Sequence, residues 1–224
     1  MSRCLRELGY DVGHYRARSL MKKAKVSYKR RKKYRRTTDS KHNFPVAKNL
    51  LERNFTATAA NRVWCSDITY LWTLEGWIYL AVVMDLYSRK IVGWALSNSL
   101  KTPLVKEALT MAYWQRKPGK GLTDHFDRGS QYASSDYQDL LNTYGMQCSM
   151  SRKGDCWDNA VVESFFRSLK TERTDDVVYR TRDEARRDVF DYIEMFYNSN
   201  RLHSYLGYKT PNGFEKNSKL AKAA

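Results

Sequence analysis

The sequence predicts an α/β domain built on a mixed five-stranded sheet, with three antiparallel strands first and helices around the sheet. Strand-like segments joined by tight turns follow one another from residue 62 to 96, which is typical of an antiparallel meander. Helical and strand-like segments then alternate from residue 102 to 172, which favours an α/β arrangement. A hydrophobic fraction of 42% in 224 residues supports one folded core.

The first three predicted strands cover residues 62–71, 77–86 and 90–96, and Glu75-Gly76 forms the turn after the first. In the first strand, alternation places Trp64, Ser66 and Ile68 on one face of the sheet. Cys65, Asp67 and Thr69 fall on the opposite face. A carboxylate in mid-strand is costly to bury alone, so Asp67 must bind a metal ion, pair with a cation or face water.

The next elements are a helix, a strand, a second helix and a fifth strand. Thr102-Pro103 predicts a helix to about Arg116, because Thr is a good N-cap and Pro suits the first turn. A short strand over residues 122–125 leads into Asp127. A helix follows over residues 134–144 and ends at Gly145, before a fifth strand over 146–150.

The next helix begins at Asp158 or Asn159 and extends to about Glu172. Its predicted apolar stripe consists of Val162, Phe165, Phe166 and Leu169. The opposite edge carries Glu163, Arg167 and Lys170, at i, i+4 and i+7. A last helix is predicted over residues 182–197. This order of elements is the layout of a ribonuclease H-like domain.

Charge is unevenly distributed along the chain. The formal net charge is +16; residues 1–60 hold 17 Lys and Arg against 4 Asp and Glu, and residues 61–224 hold 23 against 20. We predict a short basic helical arm at 1–21, resembling part of a helix-turn-helix or a simple basic helix, and a basic linker at 22–60. Such an arm suits a polyanion, although a merely solvated linker is the alternative. Residues 61–214 form the predicted core, and residues 215–224 a flexible tail.

Several classes of protein are excluded by the composition. No apolar run approaches the roughly 20 residues of a membrane span, and the first ten residues lack the apolar core of a signal peptide. The four cysteines form no CxxC pair, which argues against structural zinc. We therefore expect a cytoplasmic protein without a membrane partner.

Asp67, Asp127 and Glu163 are the candidate catalytic residues. In the predicted fold they lie on the first strand, after the fourth strand and on the following helix, where they converge. Each has a simpler interpretation when taken alone: Asp124 rivals Asp127, and Glu163 could form an ion pair with Arg167. Asp85 is expected to pair with Arg89.

Four segments carry a resemblance to a known family: VWCSDITYL, DRGSQYAS, SMSRKGDCWDNAVVESFFRSLKTE and YNSNRLHSYLGYKTP, extending from about Asn61 to Phe214. The chain resembles the bacterial insertion-sequence transposases encoded in two overlapping reading frames, and is like the second-frame product. These proteins share an aspartate–aspartate–glutamate core with retroviral integrases. The resemblance implies that Asp67, Asp127 and Glu163 are metal ligands, and that Lys170 contacts DNA near the scissile phosphate.

The resemblance also implies metal-dependent DNA cleavage and strand transfer with two Mg²⁺ ions, for which Mn²⁺ can substitute. The expected partners are double-stranded DNA, further copies of the chain and the upstream-frame product or a fusion with it. The other predicted DNA contacts are Arg167, Arg152, Lys153, Asn159, Arg128, Lys32, Lys33, Arg35 and Arg36. Arg201 and His203 match the tail motif, for which the sequence gives no role.

Two departures from the family pattern leave alternatives open. Phe126 replaces the serine that usually precedes the second aspartate, so its ring must enter the core or it crowds the site. The amino-terminal part is short, so independent recognition of the element's ends is in doubt. The alternatives are an inactive or truncated DNA-binding remnant and a ribonuclease H-like nuclease without strand transfer.

Overall fold

A mixed five-stranded sheet organises the protein. The computed structural model describes residues 1–26, 44–152 and 156–223. The strands are β1 (Val63–Thr73), β2 (Gly76–Asp85), β3 (Ile91–Ser97), β4 (Thr123–Phe126) and β5 (Gln147–Met150), in the spatial order β3-β2-β1-β4-β5. The first three strands pair antiparallel, whereas β1–β4 and β4–β5 pair in parallel. The predicted fold class is confirmed.

The first face of the sheet packs against α3 (Thr102–Arg116), α4 (Ser130–Ala133) and α5 (Ser135–Thr143). Trp64 of β1 lies in this half of the core, as the alternation in β1 predicted. Gly93 lets β3 and α3 approach closely, since a Cβ atom there would collide with the backbone of Ala108 and Ala112. The helix predicted from Thr102 has the predicted bounds.

The second face packs against α6 (Ala160–Leu169) and α7 (Arg182–Phe190). The predicted stripe of α6 is buried here, together with Cys65 and Leu71 of β1. Both helices continue as π-helical turns, over Lys170–Thr174 and Asp191–Tyr197. The predicted helices, to about Glu172 and over residues 182–197, agree with these combined spans, whereas the change to π-helical winding was not predicted.

The amino-terminal part begins with two helices, α1 (Ser2–Glu7) and α2 (His14–Lys23). Lys32, Lys33, Arg35 and Arg36 lie outside the described residues. The segment that begins at residue 44 runs beside β5: the Met150 amide donates to Lys48 O (3.3 Å), and the Leu50 amide donates to Ser149 Oγ (2.9 Å). This segment therefore reaches the sheet next to the carboxyl ends of β4 and β5.

The carboxyl-terminal part contains helix α8 (Pro211–Ala223). A flexible tail was predicted from residue 215, but Glu215 anchors the helix to the core. Its carboxylate accepts hydrogen bonds from both terminal nitrogens of Arg116 (2.8 Å each) and from Ser88 Oγ (2.7 Å). These partners lie about a hundred residues away, so local sequence gave no sign of them.

The prediction that Asp85 pairs with Arg89 is wrong. Asp85 contacts Arg116 (3.4 Å) and accepts a hydrogen bond from the Asn61 amide (2.7 Å). The Arg89 guanidinium instead lies 3.9 Å from the ring centre of Tyr205. Arg116 thus joins Asp85 to Glu215 and fixes α8 to the sheet. Among the described residues, no helix is long and apolar enough to cross a membrane.

Candidate active site

Asp67 and Asp127 come from neighbouring parallel strands. Cys65 of β1 lies beside His125 of β4 in the register. Alternate residues of a strand share a face, so Asp67 follows Cys65 on the second face of the sheet, and Asp127 follows His125 just past the end of β4. The pairing of β1 with β4 ends at Cys65, which leaves Asp67 at the crevice where the two strands separate.

Local backbone donors orient both aspartates. Asp67 Oδ1 accepts a hydrogen bond from the Ile68 amide (2.8 Å), and Asp127 Oδ1 accepts one from the Gly129 amide (2.8 Å). A Cβ atom on Gly129 would lie only 2.9 Å from that same Asp127 oxygen. Gly129 therefore allows the turn after β4 to fold back on the Asp127 carboxylate.

Glu163 approaches from the first turn of α6. The buried stripe of α6 faces the sheet, and Glu163 lies partly buried at its edge. Burial and the charge of Asp127 raise the pKa of Glu163. Burial, Asp127 and Glu163 likewise raise the pKa of Asp67 well above its ordinary value, against the opposing effect of the Ile68 amide. The three carboxylates therefore share one electrostatic environment.

This environment matches the chemistry of a divalent cation, because mutually repelling carboxylates are relieved by positive charge and hard oxygen ligands suit Mg²⁺. The side chains do not form a closed ligand set as they stand: within the described ranges, no three His, Cys, Asp or Glu side chains are placed to hold a metal ion. The three carboxylates are suitable ligands for Mg²⁺, and their arrangement around bound metal ions stays a prediction.

Lys170 lies next to this acidic group. It is the first residue of the π turn after α6, and its Nζ atom is 4.9 Å from the ring centre of Tyr70 on β1. Burial lowers the pKa of Lys170, and the charges of Asp175 and Asp67 oppose that shift. Arg167 is exposed one turn earlier and donates to Ser164 Oγ at 3.4 Å.

Asn159 closes the crevice beside Asp67. Its buried side-chain amide donates to Ser66 O (3.1 Å), just beyond the last residue of β1 that pairs with β4. Asn159 thereby fixes the start of α6 against β1. The structure gives this residue a positioning contact, whereas the sequence predicted a DNA contact.

Asp158 is a buried anchor that the sequence interpretation missed. Its carboxylate accepts hydrogen bonds from Asn49 Nδ2 (2.9 Å), Arg53 Nε (3.0 Å) and both the amide and the guanidinium of Arg152 (2.9 to 3.1 Å). Burial alone would raise the pKa of Asp158, but the bonds from Arg152 and Arg53 outweigh it and hold the pKa well below its usual range. The WDN motif was its only signal in the sequence.

Two more predicted DNA contacts, Arg128 and Arg152, have partners within the protein, and a third, Lys153, has no described position. Arg128 donates through Nε to Ser151 O (2.8 Å), which links the turn after β4 to the end of β5. Arg152 engages Asp158 as described above, with its side chain about half exposed. Lys153 falls outside the described residues.

The tail motif binds the far end of α6. Arg201 forms an ion pair with Glu172 (2.8 Å) and donates to Ser168 Oγ (3.0 Å), while the Tyr192 hydroxyl also donates to Glu172 (2.7 Å). His203 packs edge-on against Tyr197, and burial lowers its pKa to about 4. Arg201 therefore holds the π turn that carries Lys170, a role that the sequence did not reveal.

Phe126 does not crowd the site. Its ring is fully buried on the first face of the sheet, stacked on Tyr132 at 4.8 Å and edge-on to Tyr137 at 5.5 Å. Asp124 points to the same face, where it accepts hydrogen bonds from Ser66 Oγ and the Tyr137 hydroxyl (2.7 Å each). Burial raises the pKa of Asp124 to about 6. The rival carboxylate is therefore part of the core.

Comparisons with known proteins find clear relatives of this chain. Two families described as integrase core domain match residues 57–156 and 144–211. The insertion element IS600 uncharacterized 31 kDa protein of Shigella sonnei is 44% identical, over 95% of this chain and 78% of the relative. The transposase InsF for insertion sequence IS3A of Escherichia coli is 43% identical, over 97% of this chain and 75% of the relative.

The fold also matches a solved integrase core. The catalytic core domain of BIV integrase superposes with a TM-score of 0.53 at 18% identity, over 73% of this chain and 99% of that one. This likeness concerns the fold, which is the ribonuclease H-like arrangement predicted from the order of elements.

Proposed function

The chain belongs to the family of insertion-sequence transposases with an integrase core domain, and from this premise we propose that it cleaves DNA at the ends of a mobile element and transfers the new ends into target DNA. The observation that supports the proposal is that β1 and β4 bring Asp67 and Asp127 to one crevice, while the first turn of α6 brings Glu163 near enough for the three charges to interact.

The three carboxylates would hold two Mg²⁺ ions, with Mn²⁺ as a substitute. When bound, such ions activate an attacking oxygen and neutralise the charge that develops on the leaving oxygen. The protein's own contribution is to fix its ligands: strand β1 holds Asp67, the turn at Gly129 holds Asp127, and α6 presents Glu163. Lys170 would bind a phosphate next to the reacting one.

The proposed reaction has two steps at one site. Attack by water on a phosphodiester releases a 3′-hydroxyl at the element's end, and attack by that hydroxyl on target DNA joins the two molecules. Each step replaces one phosphodiester oxygen by another, so no covalent protein intermediate is required. The reaction takes place at the nucleoid, with more than one copy of the chain on the DNA and with the upstream-frame product or a fusion to it supplying end recognition.

A plasmid-nicking and strand-transfer assay with Mg²⁺, and with EDTA in its place, tests the proposal. We expect Glu163→Gln to lose both activities by at least 100-fold while DNA binding persists, because a neutral amide keeps the shape but removes a metal-binding charge. Asp67→Asn should behave in the same way. Asp183→Asn is the matched control, since the Asp183 side chain is 86% exposed on α7.

Each other outcome supports a different function. Nicking without strand transfer, even when a DNA 3′-end is supplied in excess, would indicate a nuclease. Binding without either reaction, in the parent protein with Mg²⁺, would indicate a DNA-binding remnant. Full activity of Glu163→Gln would remove Glu163 from the ligand set.

A further inference from the structure

The hairpin between β1 and β2 carries an aromatic cluster, which we define as Tyr70, Trp72 and Trp77. Trp72 and Trp77 are cross-strand partners with ring centres 4.8 Å apart, and Tyr70 meets Trp77 at 4.9 Å. The two tryptophans are 54% and 43% exposed, and Leu74 at the tip is 66% exposed. Large apolar side chains grouped on a surface are typical of binding sites.

The surroundings of the aromatic cluster favour an anionic partner. Lys170 lies over the ring of Tyr70, and Arg182 donates through Nε to Trp77 O (3.2 Å). The nearest acid at the tip, Glu75, accepts a hydrogen bond from the Arg182 amide (2.8 Å). Aromatic faces flanked by cations are the combination that binds unpaired nucleobases together with their phosphates.

The aromatic cluster is connected to the candidate active site through two elements. Lys170 contacts Tyr70 and is also influenced by the charge of Asp67. Along β1, Tyr70 and Trp72 follow Asp67 by three and five residues, or about 10 and 17 Å at roughly 3.3 Å per residue, and this odd spacing places them on the opposite face of β1 from Asp67. Beyond Cys65, β4 no longer pairs with this edge of β1, and Lys170 lies beside Tyr70 there. A DNA strand leaving the carboxylates would therefore cross this edge past Lys170 to reach the tryptophans.

We propose that the aromatic cluster stacks unpaired nucleobases of the DNA strand that flanks the reacting phosphate. This inference rests on the proposed function, since it assumes that DNA occupies the carboxylate site. The cluster holds the strand apart from its complement next to the cleavage point, and Lys170 binds the phosphate between the two sites. Stacking on one aromatic ring strengthens binding by about tenfold per base.

Binding of two DNA probes tests the inference: a blunt duplex, and the same duplex ending in an unpaired thymine tract. We expect the parent to prefer the unpaired end, and Trp72→Ala and Trp77→Ala each to lose about tenfold in affinity for that probe only. Trp72→Phe should restore most of the loss, because it returns an aromatic face. Trp114→Ala is the matched control, being a tryptophan that is 62% exposed on α3.

A second measurement does not depend on the variants. Thymines replaced by 5-iodouracil should form photo-crosslinks to Trp72 or Trp77 in the parent protein, and peptide mass spectrometry identifies the attachment point. Equal affinity of parent and Trp72→Ala for the unpaired probe, with crosslinks elsewhere, would overturn the inference. So would a change of oligomeric state in Trp72→Ala, measured by sedimentation, since the aromatic cluster would then be an interface between copies.

Failure of this inference and failure of the proposed function give different results. If the parent nicks and joins DNA but both probes bind the tryptophan variants as they bind the parent, only the inference falls. If the parent shows no Mg²⁺-dependent reaction on any DNA, the proposed function is wrong, and so is the inference that rests on it.

Discussion

At the scale of single residues, the burial of Asp158 has a consequence for stability. Its carboxylate is fully buried among donors from two segments, residues 49–53 and Arg152, whereas Arg53 and Arg152 remain about half exposed. Replacing Asp158 by Asn removes the charge that orders residues 49–53 beside β5. Hydrogen bonds to a buried charge contribute about 1.5–3 kcal/mol, so we expect Asp158→Asn to lower the free energy of unfolding by about 2 kcal/mol at pH 7.

The pH dependence of that loss has a definite sign. The pKa of Asp158 is lower in the folded protein than in the unfolded chain, so its stabilisation is complete above an unfolded pKa of about 3.9 and fades as the pH falls below it. Urea unfolding at pH 7 and at pH 3 should show a large difference between parent and Asp158→Asn at the higher pH and a smaller one at the lower. A difference independent of pH would mean that the charge is not what stabilises the fold.

At the scale of elements, the tail motif positions the π turn after α6. Arg201→Ala should remove the ion pair with Glu172 and let the turn carrying Lys170 move, so strand transfer should fall about tenfold with a smaller effect on overall DNA affinity. The effect should be non-additive with Lys170→Ala, because both changes act through the same lysine. Arg186→Ala serves as control: it loses a hydrogen bond to Leu96 O on β3, and its effect should add to that of Lys170→Ala.

Helices and strands could be predicted where neighbouring residues in the sequence determine them. The alternation in β1 separated Trp64 from Cys65 and Asp67, and Thr102-Pro103 marked the start of α3, because each depends on neighbours within a few residues. The helix predicted to about Glu172 is present, although its last residues wind as a π turn in which Arg201 pairs with Glu172, a contact that the local sequence does not indicate. The prediction that the carboxylates converge rests on strand order, whereas the hydrogen bonds from Asn49 and Arg53 to Asp158 join residues more than a hundred positions apart.

At the scale of the whole molecule, the proposed function divides affinity and chemistry between two regions. The excess charge lies before residue 61, and the three carboxylates lie after it. Phosphate contacts would bring affinity without sequence information, while the carboxylates and the turn with Lys170 would act on one bond. Changes in the basic linker should therefore alter DNA affinity for all sequences and leave the rate of the bound complex nearly unchanged.

The salt dependence of binding measures this division directly. Replacing Lys32, Lys33, Arg35 and Arg36 by Gln keeps the chain length but removes four positive charges. Each phosphate contact contributes about 0.9 to the slope of log K against log salt concentration on duplex DNA. The slope should therefore become shallower by up to about 3.6, and single-turnover strand transfer at saturating protein should change less than threefold. As control, the exposed residues Lys117, Lys120, Arg187 and Lys216 are changed to Gln, which lowers net charge equally outside the basic linker. An identical slope change in both variants would mean that net charge, and not contact between the linker and phosphate, governs binding.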